Sequence, residues 1–399
     1  MKRSEFIKKS IALGVSAPFL SMLLESCKKE DFNFPQFDVN FSGKVLIVGA
    51  GAAGLTAGYV LYRHGIDFEI IEAAPQYGGR VKRTTQLADF PIDLGAEWMH
   101  GQPTLLGEIL RDPQSNATVD YITYNPQTVY NWKNGKLKKQ NWANNYYSEY
   151  KFKSTTWFGF FEKYIVPKIQ DKIRLNAPVQ QIDYSGNKIA AQTDQTTYEG
   201  DKVLVTVPIN ILKSGMIDFI PQLPNDKINA YNSIQMGDGL KVFIEFKENF
   251  YPDILFMGGL ISSFQSSERI YYNAAFRKNT SKNVLGLFTV QDAASQYTDI
   301  ATDQELIQHI LNELDTIFEG KASQNYMSHV IQNWSKEPYV KGSYSDSFTQ
   351  DQNSTVNTLL NPVDKKIYFA GEALSVNNQA TVHGAAETAY TVVEKILNN

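Results

Sequence analysis

Three glycines and one acid are the first residues whose spacing could do chemistry. Gly49-x-Gly51-x-x-Gly54 separates a β-rich run, Lys44 to Val48, from a helical stretch, Leu55 to His64. Gly49 permits a tight turn, Gly51 lets the backbone approach a pyrophosphate, and Gly54 lets helix and strand pack closely. Backbone N–H groups at the helix start, aided by its dipole, then hold phosphates. Glu72 lies 18 residues after Gly54, at the end of a second strand, Asp67 to Ile71. Its carboxylate can accept hydrogen bonds from both hydroxyls of an adenosine ribose, and it disfavours a 2′-phosphate. The unit is expected to bind a dinucleotide, and the motif alone does not choose between FAD and NAD. Lys241 is the other unusual residue. It opens the β-rich run KVFIEF, where burying an ammonium is costly.

Other chemistries find little support. Five histidines carry no HExxH and no close pair, so no metal is expected. A single cysteine excludes a disulfide framework, a Cys-rich zinc site and iron–sulfur ligation. The 399 residues carry 38 basic and 42 acidic side chains, a formal charge of −4. That gives no general basic field for nucleic acid.

The elements that must position these residues follow from the pattern. Lys44 to Glu72 is a βαβ unit with Gly65 ending its helix. Lys172 to Ile182, Lys188 to Gln192, Lys202 to Val207, Lys241 to Phe246, Ile270 to Phe276, Leu285 to Val290 and Lys366 to Ala370 are expected strands. Residues 101–170, rich in Tyr, Trp, Asn and Lys, are expected as short helices and loops. Asp303 to Phe318 has helical apolar spacing, and Thr381 to Leu397 is expected as a final helix.

The N-terminus is expected to lie outside the fold. Lys2, Arg3, Lys8 and Lys9 precede an apolar run, Ile11 to Leu24, too short to span a bilayer. This is the order of a secretory signal. Lys2-Arg3-Ser4-Glu5-Phe6-Ile7-Lys8 resembles a twin-arginine export pattern, and Leu24-Glu25-Ser26-Cys27 resembles a bacterial lipobox with Cys27 as the lipidated residue. Residues 1–26 are therefore expected as an export signal and 27–42 as a tether, with the protein in the periplasm or cell envelope and membrane contact only through that lipid.

Later motifs add specificity. They are Gly78-Gly79-Arg80, Asp93-Leu94-Gly95-Ala96-Glu97-Trp98-Met99-His100-Gly101, Val205-Thr206-Val207-Pro208, the segment Trp334 to Ser345, Phe369-Ala370-Gly371-Glu372 and Ala380-Thr381-Val382-His383-Gly384-Ala385. In this order they closely resemble the flavin-containing amine oxidases, from Gly43 to Asn399. The resemblance implies an α/β (α+β overall) architecture. A Rossmann-like FAD-binding domain (43–100, 171–210, 335–399) would be interleaved with a substrate domain of mixed sheet and helices (101–170, 211–334).

The resemblance also implies residue roles. Gly49, Gly51, Ala53 and Gly54 would line the pyrophosphate, and Glu72 the ribose. Gly79 and Arg80 would reach the phosphates or flavin side. Ala96, Glu97 and Trp98 would run beside the isoalloxazine, Val179 would hold the adenine, and Gly371 and Glu372 the pyrophosphate–ribitol part. Val382 would offer its N–H to the pyrimidine edge. Lys241 would hold a water beside flavin N5 and assist reoxidation. His100, Tyr344 and Thr381 would line the amine site, where an aromatic face suits an amine.

The implied reaction is hydride loss from the carbon beside a neutral amine to N5, with O2 as acceptor giving hydrogen peroxide and an aldehyde. No general base is required, and polyamine-type amines are favoured. Monoamine or L-amino-acid oxidation, or a surface lipoprotein that holds FAD without catalysis, are the alternatives. With Cys27 as the sole cysteine, FAD should be non-covalent. The short stretch from Gly101 to Leu175 implies a smaller roof over the substrate channel.

Overall fold

The computed structural model describes residues 35–101, 103–112, 119–140, 149–258 and 268–399. The export signal and the first half of the tether, Cys27 included, lie outside them. No helix among the described residues is long and apolar enough to cross a membrane.

A five-stranded parallel sheet carries the dinucleotide motif. Its spatial order is Ile173–Arg174, Asp67–Ile71, Lys44–Val48, Lys202–Val205, Ile367–Phe369. The first strand in sequence is therefore central, and the order reverses beside it, which is where such sheets bind ligands. Both faces are covered, as a parallel sheet requires. Val45 and Ile47 face a layer formed by the helices Ala52–Arg63, Leu105–Leu110, Trp157–Tyr164 and Val382–Asn398. Leu46 and Val48 face the opposite layer, with Ile182, Ile189, Ile211, Leu223 and Ile234.

The second half is built on a seven-stranded sheet. Its order is Tyr326–Asn333, Gly239–Phe246, Asn283–Val290, Arg269–Asn273, Ile254–Met257, Val129–Lys133, Lys136–Lys139. Period-two alternation divides its second strand. Leu240, Val242, Ile244 and Phe246 pack with the amphipathic helix Asp303–Phe318. Phe243 packs into a different core with Ile92, Tyr124 and Tyr272, and Lys241, two residues earlier, shares its face.

Several expectations shift. Residues 101–170 supply strands as well as helices. Tyr121–Tyr124 and Glu149–Phe152 pair with each other, and Val129–Lys133 with Lys136–Lys139. The second pair turns at Asn134-Gly135, both with positive φ, a hairpin signal present in the sequence. The helices Leu105–Leu110 and Trp157–Tyr164 pack in the nucleotide-side core, as do Ile211 to Ile234 on its other face. Lys172 to Ile182 is not one strand. Asn176, at φ 54°, breaks it, and Ile173–Arg174 and Gln181–Asp183 join different sheets. The tether's last residues are packed: Phe37 stacks on His64 at 5.1 Å and Asn40 N–H donates to Leu397 O.

Candidate active site

The nucleotide end is built from backbone. Gly49 adopts φ 106°, which favours glycine. A Cβ on Gly54 would sit 1.9 Å from Gly49 O, so only glycine lets this helix approach its strand. A Cβ on Gly51 would meet nothing within 4 Å. That open space above a helix start has room for a pyrophosphate. Gly51 caps the helix without a side-chain hydrogen bond, and no acid occupies the first turn, which leaves the N–H groups for an anion. Ala53 is buried in that first turn. Gly79 crosses against Gly51, its added Cβ falling 3.3 Å from Gly51 Cα.

Glu72 is buried and accepts from Ala50 N–H (2.6 Å) and Ala74 N–H (2.8 Å). Burial raises its pKa, against these backbone bonds. Each oxygen retains a lone pair for a ribose hydroxyl. Val179 is buried just beyond Ala177, whose N–H donates to Glu72 O. These residues fit the adenosine half of FAD.

Arg80 and Glu372 pair with each other at 2.8 Å. Arg80 also donates to Ser343 O at 3.0 Å. Glu372 further accepts from the Ser345 hydroxyl and N–H and from Ala380 N–H. The pair and Gly371 line a small cavity with Thr206 and Pro208. Ala96 N–H donates to Arg80 O, which places the Ala96–Trp98 segment beside this cavity's arginine. Val382 begins the final helix, 8% exposed.

Lys241 is 3% exposed and is not a solvated strand end. Its ammonium donates to Glu97 Oε2 at 2.6 Å and to Asp93 O at 3.3 Å. An ammonium has three donors, so one remains for another acceptor, such as a water. Glu97 also meets Lys151 Nζ at 2.5 Å and the Tyr272 hydroxyl. Burial alone would raise the Glu97 pKa, but Lys151 and Lys241 outweigh it and hold it at about 2.

Two expected site residues have structural tasks here. Glu97 does not line the cofactor wall through its carboxylate, because protein cations and Tyr272 enclose it. The Thr381 hydroxyl caps the final helix, accepting from Gly384 N–H and donating to Asn378 O. Its proton and one lone pair are thus committed to the backbone.

The remaining site residues gather acids. His100 Nδ1 lies 3.8 Å from Glu149 Oε1. Burial opposes a charged His100, but Glu149, with Glu268 adding, raises its pKa. Burial pushes Glu268 up to about 7, with Asp346 adding and His100 opposing. Burial, with Glu268, Asp346 and Glu372 adding, drives the Tyr344 hydroxyl well above its ordinary value. Burial, helped by His100, takes His383 down to about 4. Tyr344, His100 and His383 thus share one electrostatic neighbourhood with Glu149, Glu268, Asp346 and Glu372.

Sequence reasoning missed Lys151, Tyr272, Glu149 and Glu268. Lys151, 2% exposed, carries the same signal as Lys241: a lysine inside an aromatic strand, Glu149–Phe152.

The family profile "Flavin containing amine oxidoreductase" matches residues 52–155 and 161–397. The chain belongs to this family of flavin-dependent oxidoreductases that act on amine groups. Among similar proteins, polyamine oxidase 1 of Zea mays is 29% identical over 58% of this chain and 46% of its own length. Lysine-specific histone demethylase 2 of Homo sapiens is 24% identical over 88% and 53%. Probable polyamine oxidase 4 of Arabidopsis thaliana is 22% identical over 87% and 85%. The chain thus spans about half the length of the first two. Among solved structures, putrescine oxidase bound to putrescine superposes with a TM-score of 0.73 at 16% identity, over 90% of this chain and 100% of that one. Cyclohexylamine oxidase from Brevibacterium oxydans gives 0.72 at 15%, over 90% and 99%. These two share the fold.

Proposed function

We propose that this protein is an FAD-dependent oxidase of polyamine-type substrates. The observation that carries the reading is Glu149 3.8 Å from His100, with Glu268 acting electrostatically on His100 and Tyr344, and Asp346 on Tyr344. A monoamine offers one nitrogen. A polyamine carries further ammonium groups along its chain, and several carboxylates beside an aromatic face match them. An amino acid would need a cation for its carboxylate, and this group of residues supplies acids instead.

The chain's own residues have distinct tasks. Gly49, Gly51, Gly54 and Glu72 would hold the adenosine diphosphate part of FAD. Arg80, Gly371 and Val382 would hold the remainder, with Glu372 keeping the guanidinium in place. A bound flavin supplies two-electron oxidation of the C–N bond, with dioxygen as the final acceptor. Tyr344 and the acids orient the amine so that the carbon beside its neutral nitrogen, the carbon that loses hydride, faces the flavin. Lys241 presents an immobilised ammonium with one free N–H. The imine product then hydrolyses to an aldehyde.

FAD is held without a covalent bond in this reading, and export with lipidation at Cys27 extends it. Denaturation with acid should release all yellow colour to the supernatant, and colour left on the polypeptide would contradict it. Cys27→Ser should abolish palmitate labelling and membrane retention. A panel of amines read by peroxide release tests the substrate class. Spermine or spermidine should lead, and a panel led by tyramine or leucine would overturn the assignment.

A further inference from the structure

Lys241 is half of a larger buried device. Lys151 sits opposite it on the same carboxylate, with its ammonium 4.7 Å from the Trp98 ring, 5.2 Å from Tyr124 and 4.9 Å from Tyr272. Three rings around one cation form an aromatic cage, here filled by a side chain of the protein itself. Lys151, Lys241 and Glu97 are each at most 6% exposed. Two ammonium groups pair with one carboxylate, and the Tyr272 hydroxyl also donates to it. Asp93 lies beside them with one oxygen taken by Trp157 N–H at 3.0 Å. Lys278, held by Phe152 O and Lys153 O, closes the cavity lined by Asp93, Glu97 and Lys151.

We propose that Glu97 is the positioning residue for Lys241, and that caged Lys151 and Tyr272 lock the carboxylate so that the Lys241 ammonium keeps one orientation. The proposal rests on the reading that Lys241 serves reoxidation of the flavin. In that step the reduced anionic flavin gives up two electrons and one proton. Solvent supplies a second proton, and dioxygen becomes hydrogen peroxide. An ammonium fixed in place stabilises negative charge arising on the oxygen more than a mobile one does, because it needs no reorganisation. Lys241 can be fixed only if its partner is. A carboxylate with a single partner could swing about its torsions, whereas one hydrogen-bonded by Lys241 and Tyr272 and ion-paired with Lys151 cannot.

Glu97→Gln alone leaves two buried cations without a counter-charge and could prevent folding. The informative variant is therefore Glu97→Gln combined with Lys151→Met. It removes one charge of each sign and keeps the net buried charge, and Met fills the cage as an apolar chain. The comparison protein is Lys151→Met alone, which retains the Glu97–Lys241 pair. Each FAD-loaded protein is reduced with dithionite, so the result does not depend on which amine is the substrate, and is then mixed with oxygenated buffer. We expect the double variant to reoxidise at least tenfold more slowly than Lys151→Met. The midpoint potential of its bound flavin should also move negative. Tyr272→Phe should slow reoxidation severalfold, in the same direction. A double variant that reoxidises within threefold of Lys151→Met, with an unchanged potential, would reduce Glu97 to a structural ion pair and overturn the proposal. An unreactive amine panel alongside slow reoxidation of the double variant would instead count against the substrate reading alone.

Discussion

The two halves of the molecule handle charge in opposite ways. The proposed nucleotide half offers its ligand mainly backbone. Its glycines, a helix start and the twice-bonded Glu72 make a cradle of fixed dipoles. The substrate half meets its chemistry with side chains. Lys241, Lys151, Glu97 and Tyr272 converge from three strands and a loop. A backbone cradle tolerates changes of side chain but not of glycine. A buried charge network tolerates neither the loss of one member nor a change of sign, because each remaining charge stays out of water.

Substitutions can break this contrast, and the largest effect should come from the cradle. Gly54→Val puts carbon inside the 1.9 Å gap to Gly49 O. It should abolish FAD retention, read as loss of flavin absorbance after gel filtration. Next is Glu97→Gln, which should cost about 3–5 kcal/mol of stability in chemical denaturation. The pH sign is fixed. The folded carboxylate, at about 2, lies below its ordinary value of 4.5. Its contribution of about 3 kcal/mol is present above pH 4.5 and is lost as pH falls towards 2. The variant should therefore show a flatter acid limb than the parent.

A smaller effect sharpens the substrate side. Glu268 carries a pKa of about 7, so it is mostly neutral below that pH and charged above it. The KM for a polyamine should fall severalfold as pH rises from 6 to 8. Glu268→Gln should raise KM roughly tenfold at pH 8, about 1.4 kcal/mol, and remove that pH dependence. The smallest effect is Thr381→Ala. It removes a helix cap and should cost about 1 kcal/mol of stability, with little change in flavin loading.

The same contrast explains what could be read in advance. The Gly49–Gly54 turn, Glu72, the first two strands and the helix Asp303–Phe318 were legible because local sequence alone determines them. The glycines have one conformational reason each, and the helix has one apolar stripe with a Thr302–Glu305 capping box. Arg80 and Glu372 were legible as members of motifs, although their pairing with each other was not. Lys241 stood out because a lysine in a buried strand needs a partner, but the partner lies 144 positions away. Lys151 was hidden for the same reason, inside a four-residue strand too short to show a period. Glu268 gains its significance only through His100 and Asp346, brought near it by tertiary packing. Domain limits drawn in sequence also missed that the helices Leu105–Leu110 and Trp157–Tyr164 belong to the nucleotide-side core.

The most direct test of the central claim is the absorbance of the purified FAD-loaded protein, mixed without oxygen with one amine at a time. Spermine or spermidine should bleach the flavin completely, at a rate that saturates with amine concentration, and admitting oxygen should restore the yellow colour with one peroxide per flavin. A flavin that polyamines leave oxidised while tyramine or leucine bleaches it would contradict the account.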